Sequence, residues 1–284
     1  MKIRKILICL IAILLLAASA LGEEVVIPTA TLSPEAAALP WNLTLVNAVN
    51  PVPEDWTMEF VELKGDQRVD ARIYPELQAM FNACREAGLK PMVKTSYRTY
   101  EDQKKMLVLK YKQYKNAGKS HAEAQAAALK VAAYPGYSEH HSGYALDICI
   151  YENGKGRTFA DEEPYIWIPQ NCAKYGFIRR YPEEKTALTG ITFEPWHYRY
   201  IGVPHSMYVT QNGLIFEEYI EQLKQYTFEG THLPIDAEGK SYEVYFVPAS
   251  GDKTTVYVPN DKPYTLSGNN VDGFIVTVDT TAQA

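Results

Sequence analysis

Between Tyr144 and Tyr151 the side chains alternate as they do in a β-strand, with Leu146, Ile148 and Ile150 on one face and Ala145, Asp147 and Cys149 on the other. An acid in the middle of so apolar a run constrains the fold more than any other feature of the chain. Burying a carboxylate is costly unless a cation or hydrogen-bond donors compensate it. The loop before this strand, Ser138-Glu139-His140-His141-Ser142-Gly143, offers a histidine seven residues ahead of the acid. A divalent metal bound by neutral imidazole and carboxylate would resolve the cost. A solvated loop histidine and an edge-strand acid facing water would account for the same residues.

Two other local patterns bear on that choice. Glu194-Pro195-Trp196-His197 again sets an acid and an imidazole close together after the apolar run Ile191-Thr192-Phe193, which reads as a strand. Zinc hydrolases need three protein ligands, an open position for water and a carboxylate outside the ligand set to take that water's proton. Glu194 and His197 complete this inventory. The H-E-x-x-H helix is absent and Pro195 disfavours a helical interior, so the ligands must come from strands and loops. A structural zinc is the alternative, but closed structural sites are usually thiolate-rich. The third pattern, Ser96-Tyr97-Arg98-Thr99-Tyr100-Glu101-Asp102-Gln103, delivers an arginine at the end of the extended run Pro91–Tyr97. A guanidinium there suits a substrate carboxylate or a developing oxyanion, although taken by itself it reads as a surface arginine, and only the company of the other two patterns reverses that.

The rest of the chain frames these patterns. Helical spacing of Leu77, Met80, Phe81 and Cys84, closed by Gly88, predicts a helix over 74–87. Further helices are expected over 100–114, over 122–133 behind a Ser120 cap, over 165–174 up to Gly176, and over 214–226. Phe177–Tyr181 reads as a strand. Short β-rich runs at 241–248, 254–259 and 273–279 form a small C-terminal module. Cys84, Cys149 and Cys172 fit small buried residues better than a disulfide framework or a thiolate metal site.

At the other end, Lys2, Arg4 and Lys5 precede an apolar run from Ile6 to Leu16 and the small residues Ala18-Ser19-Ala20, the pattern of a secretory signal peptide. An uncleaved membrane tether is the alternative, although a run of roughly 15 apolar residues is shorter than the ~20 of a spanning helix. Cleavage takes the formal net charge from −6 to −9, and so acidic a chain disfavours nucleic acid as a partner. Residues 21–40, rich in Ala, Pro, Thr and Glu, read as a disordered spacer.

Together the three patterns resemble the VanY-type D-alanyl-D-alanine carboxypeptidases and their L,D-carboxypeptidase relatives. The family's S-x-H-x-x-G-x-A-x-D motif is met at Ser138, His140, Gly143, Ala145 and Asp147, its E-P-W-H motif at Glu194 to His197, and its S-x-R…Q element at Ser96, Arg98 and Gln103. The resemblance implies an α+β fold with an antiparallel sheet core and flanking helices, the DD-peptidase-like zinc fold, over 41–227, with the β-rich module over 228–284. It implies Zn2+ held by His140, Asp147 and His197, with Glu194 as general base and acid. Arg98 would contact the oxyanion or terminal carboxylate, and Gln103 and Ser138 would help grip the peptide end.

The activity so implied is that of an exported or envelope-associated monomer releasing C-terminal D-Ala from peptidoglycan stem peptides. The alternatives are L,D-carboxypeptidase action on tetrapeptides and a wall-binding module without catalysis. His141, one residue off the motif, is expected beside the site or exposed, and His121, His205 and His232 as ordinary surface histidines.

Overall fold

The computed structural model describes residues 23–28, 42–53, 56–157, 165–250 and 253–281. The segment read as a signal peptide or tether and most of the expected spacer lie outside these. The first described element is a strand, β1 (Glu23–Pro28). The chain divides into two units, one of residues 42–221 and one of residues 1–41 with 222–284.

In the larger unit a hairpin of β2 (Phe60–Leu63) and β3 (Gln67–Asp70) leads into helix α1 (Tyr74–Glu86), which buries Leu77, Met80, Phe81 and Cys84 as the spacing requires. Gly88, at φ +83°, takes the left-handed conformation that lets the chain leave the helix. Strand β4 (Pro91–Thr95) follows. Helix α2 (Tyr100–Asn116) is capped by Thr99, whose hydroxyl accepts from Asp102 N at 3.1 Å, and α3 (His121–Leu129) opens on a reciprocal Ser120–Glu123 capping box. The 3₁₀ turn Glu139–Ser142 then feeds β5 (Ala145–Glu152).

Strand β5 is the hub of the sheet. It pairs antiparallel with β4, with β6 (Lys155–Arg157) and with β8 (His197–Tyr200), and β8 pairs onward with β7 (Phe177–Arg179). Beyond β6 lie α4 (Trp167–Asn171) with a 3₁₀ turn to Tyr175, and the short α5 (Thr186–Thr189). Helices α6 (His205–Gln211) and α7 (Phe216–Leu223) come after β8. Mixed helices around an antiparallel sheet are the expected α+β class.

Several local expectations differ from the structure. Ile191–Phe193 is not a strand: Thr192 N donates to Lys130 O at 2.8 Å and Glu194 N to Tyr181 O at 3.1 Å, so the segment is a loop tied to neighbouring elements rather than to a ladder. The strand lies instead at His197–Tyr200, which is buried at every position and so shows no polar alternation. The helix expected over 214–226 is shorter and is preceded by α6, which was not anticipated.

The smaller unit holds a four-stranded antiparallel sheet in the order β12 (Tyr264–Gly268), β13 (Gly273–Asp279), β10 (Lys240–Pro248), β9 (Leu233–Ala237), and a pair formed by β1 with β11 (Lys253–Val258). Tyr245, Val256, Val258, Leu266, Phe274, Val276 and Val278 make its core. The spacer expectation is therefore corrected at 23–28, where Val25-Val26-Ile27 supplies a β-branched run that lies antiparallel to Thr254–Val256. The unit also begins at Gln222, a few residues before the expected 228. Cys84, Cys149 and Cys172 are free and buried.

Gly143 closes the turn before β5 at φ +74°, and a Cβ built there would stand 2.8 Å from Met58 Sδ and 3.2 Å from Asp70 N. Gly143→Ala is expected to lower stability by at least about 1–2 kcal/mol, the cost of a left-handed L-residue. Denaturant unfolding checks this, and an unchanged midpoint contradicts it.

Candidate metal and catalytic site

The ladder between β5 and β8 places Asp147 directly across from His197. The turn that enters β5 carries His140. One ligand atom from each of these three residues can be chosen so that all lie within 4.8 Å of one another. Asp147 Oδ1 is 3.5 Å from His140 Nε2 and 3.3 Å from His197 Nδ1. Bonds of about 2.0–2.2 Å from a tetrahedral zinc would set its ligand atoms about 3.4 Å apart, so the spacing matches a shared ion.

Two further observations test the fit. Asp147 Oδ1 is buried without a hydrogen-bond partner, an orphaned acceptor of the kind a cation satisfies. Both imidazoles also have their outward nitrogens engaged. His140 Nδ1 donates to Ser96 O at 2.8 Å and His197 Nε2 to Glu139 Oε2 at 3.1 Å, which turns the His140 Nε2 and the His197 Nδ1 toward Asp147. Burial opposes ionisation of Asp147, but the two imidazoles outweigh it and hold the carboxyl well below its ordinary range. Two imidazoles and one carboxylate form the donor set of an open zinc site.

Glu194 stands beside this set, its Oε2 3.7 Å from His197 Nδ1. The turn that places it is held by His197 N donating to Glu194 O at 3.1 Å. Burial pushes its carboxyl up to about 7 against the pull of His197 and Arg98, and a carboxyl near neutrality can both take and return a proton. Arg98 donates to Gln103 Oε1, and Gln103 Nε2 donates to Ala133 O at 2.7 Å. Gln103, expected to grip substrate, thus holds Arg98 in place. Ser138 is buried at the start of the 3₁₀ turn. Arg98, Gln103, Ser138, His140, Asp147, Glu194 and His197 all line one cleft of about 310 Å³.

Sequence reasoning assigned no role to the residues that hold this set. Glu139, fully buried, accepts from Arg180 Nε at 2.8 Å, His197 Nε2 at 3.1 Å and Arg199 at 3.4 Å. Arg180 in turn makes a bidentate pair with Glu217 at 2.8 and 2.6 Å. Burial would raise the Glu139 pKa, but Arg180, His197 and Arg199 hold it far below the usual carboxylate range. The only available signal was its position inside the motif, between Ser138 and His140. His141 takes the first of its two expected places, beside the site and buried: its Nδ1 donates to Arg98 O at 2.7 Å and its Nε2 accepts from Gly136 N at 3.0 Å.

His205 corrects an expectation. It is buried on α6 against the Tyr219 hydroxyl at 2.7 Å, and burial takes its pKa down to about 3. The neighbouring Ser206 and Val209 are buried as well, so this face of α6 turns inward and carries His205 with it. His121 is exposed against Tyr111, and His232 pairs with Glu243 at 3.1 Å.

Comparison with known proteins places this arrangement in context. The VanY family profile, D-alanyl-D-alanine carboxypeptidase, matches residues 66–203. A D-alanyl-D-alanine carboxypeptidase of Enterococcus faecalis (strain ATCC 700802 / V583) is 42% identical over 184 residues, 65% of this chain and 67% of that protein. One of Enterococcus faecium is 35% identical over 253 residues, 84% of this chain and 75% of that protein. Among solved structures, a glutamate-to-alanine variant of the vancomycin resistance D,D-pentapeptidase VanY from a VanB-type cassette, in complex with Zn(II), aligns with a TM-score of 0.60 at 42% identity, covering 64% of this chain and 99% of its own.

The Glu139 contact predicts its own test. Glu139→Ala removes the acceptor that fixes the His197 ring, and zinc affinity is expected to fall about 10–100-fold. Competition with a chromophoric chelator measures it, and an unaltered affinity would show that the contact does not orient the ligand.

Proposed function

Because the chain belongs to the VanY D-alanyl-D-alanine carboxypeptidase family, we propose that it is an exported, zinc-dependent D,D-carboxypeptidase that removes the terminal D-Ala from peptidoglycan stem peptides. The observation that carries this reading is the convergence, in one cleft, of a two-histidine, one-aspartate metal set with Glu194 beside it and Arg98 among the lining residues. The leader around Lys2, Arg4 and Lys5, with its apolar run and small-residue end, supports export.

When bound, zinc supplies Lewis-acid chemistry, making water a nucleophile at neutral pH and polarising a peptide carbonyl. The chain's own residues do the rest. His140, Asp147 and His197 would hold the ion, with the two imidazole rings oriented by Ser96 O and Glu139. Glu194 takes the proton of the attacking water and returns it to the departing amine. Arg98, oriented by Gln103, receives the free carboxylate of the substrate, which restricts cleavage to the last peptide bond. Tyr181 and Trp196 join the lining and narrow the space around that bond.

Release of D-Ala from a synthetic pentapeptide, lost on chelation and restored by zinc, is the expected outcome. Equal or faster release of D-Ala from the matching tetrapeptide would assign L,D-carboxypeptidase action instead. Glu194→Ala is expected to keep stoichiometric zinc by elemental analysis while kcat falls by about 10²–10⁴. Full turnover in that variant would remove Glu194 from the mechanism.

A further inference from the structure

The cleft carries more positive charge than the reaction uses. Its acids are Glu139, Asp147 and Glu194. Glu139 is neutralised from behind by Arg180 and Arg199, Asp147 serves the metal set and Glu194 serves proton transfer. Of its cations, Arg98 answers the terminal carboxylate. Lys94 and Lys110 also line the cleft, and neither has a close ion pair or hydrogen bond to an acid among the described residues, Lys110 exerting only a longer-range pull on Glu194.

The backbone aims both lysines there. In the ladder of β4 with β5, Val93 pairs with Ile148 and Thr95 with Asp147, so Lys94 is the extra residue of a β-bulge directly beside a metal ligand. A regular strand would turn Lys94 and Thr95 to opposite faces, yet both line the cleft. The bulge is what brings Lys94 round. Lys110 lies on the face of α2 that also carries Gln103 and Met106, two turns and one turn back along the helix, and all three line the cleft. It is half-buried, without an acid three or four residues away on its own helix.

We propose that Lys94 and Lys110 form a second anion-binding subsite, which reads a free carboxylate on the acyl side of the scissile bond and selects acidic stem peptides over amidated ones. This rests on the carboxypeptidase reading. The leaving D-Ala has one carboxylate, which Arg98 takes, and the D-Ala before it has none to offer. A second anion must therefore come from further upstream, from the side-chain or α-carboxylate of the second or third residue. A lysine ammonium on a flexible stem suits such a point charge at variable reach.

The test is the release of D-Ala by the full chain, loaded with zinc, from matched pentapeptides ending in D-Ala-D-Ala that differ only in amidation of the carboxyl groups at residues two and three. The free-acid peptide is expected to show kcat/KM about tenfold above the fully amidated one, carried by KM, as a charge-assisted contact made equally in the ground and transition states would give. The singly amidated peptides identify which carboxylate is read. Lys94→Gln and Lys110→Gln should each lower the ratio of acidic to amidated kcat/KM, as should high salt. Lys104→Gln, on the exposed side of α2, should not. A ratio near one in the unaltered enzyme, or a ratio that survives both lysine substitutions, overturns the subsite while D-Ala release keeps the carboxypeptidase reading. No release from any peptide overturns both.

Discussion

The antiparallel pairing of β5 with β8 is the constraint on which the rest depends. It puts Asp147 and His197 at the same level of adjacent strands, so two of the three metal-binding side chains are set by backbone hydrogen bonds rather than by loops. A slip of one residue in either strand would turn its side chain to the face of the sheet opposite the other. The apolar face of β5, with Leu146, Ile148 and Ile150 all buried, holds the register through its packing. The apolar alternation that makes β5 a strand therefore also presents Asp147 to the metal set.

Behind the metal set lies a second, purely protein-made charge cluster. Glu139, Arg180, Arg199 and Glu217 bring two acids and two guanidiniums together, with Glu139 and both arginines wholly buried. Such clusters add little net stability, because desolvation offsets most of the attraction, but removing one member leaves a buried charge uncompensated. Their value here is positional. Arg180 and Arg199 hold the Glu139 carboxylate in place, and its Oε2 against His197 Nε2 fixes the ring with Nδ1 toward Asp147. Arg199 also donates to Thr44 O at 2.7 Å, which ties the start of the unit to the same point.

Much of this was legible in the sequence because it depends on spacing. The His140 and Asp147 pair could be read from one loop and one strand, and Glu194 and His197 from one turn, since each pair is local. What escaped was of three kinds. Strand β8 has four buried residues with no polar alternation, so the period that marks a half-buried strand was missing. The hairpin of β5 with β6 carries Asn153-Gly154, both at positive φ, a strong turn signal that was passed over. Glu139, Arg180 and Glu217 are far apart in sequence, and a charged residue whose partner lies 37 or 41 positions away looks like any solvated one until the fold closes. His205 fails for the same reason: its burial is a property of α6 and Tyr219 together.

On the proposed mechanism, the turn around His140 keeps metal chemistry and chain-end recognition in step. Arg98 N donates to His140 O at 3.2 Å, His140 Nδ1 donates to Ser96 O at 2.8 Å and His141 Nδ1 to Arg98 O at 2.7 Å. Three hydrogen bonds thus lace the segment that carries Arg98 to the one that carries the metal-binding histidine, and Gln103 fixes the guanidinium at its far end. An exopeptidase depends on a constant span between the group that grips the terminal carboxylate and the group that activates the last peptide bond. A span built from direct backbone contacts holds to a fraction of an ångström, whereas one built from separate loops would let the substrate slide by a residue. The adjacent histidines of the motif divide that work, His140 facing the metal set and His141 facing the clamp.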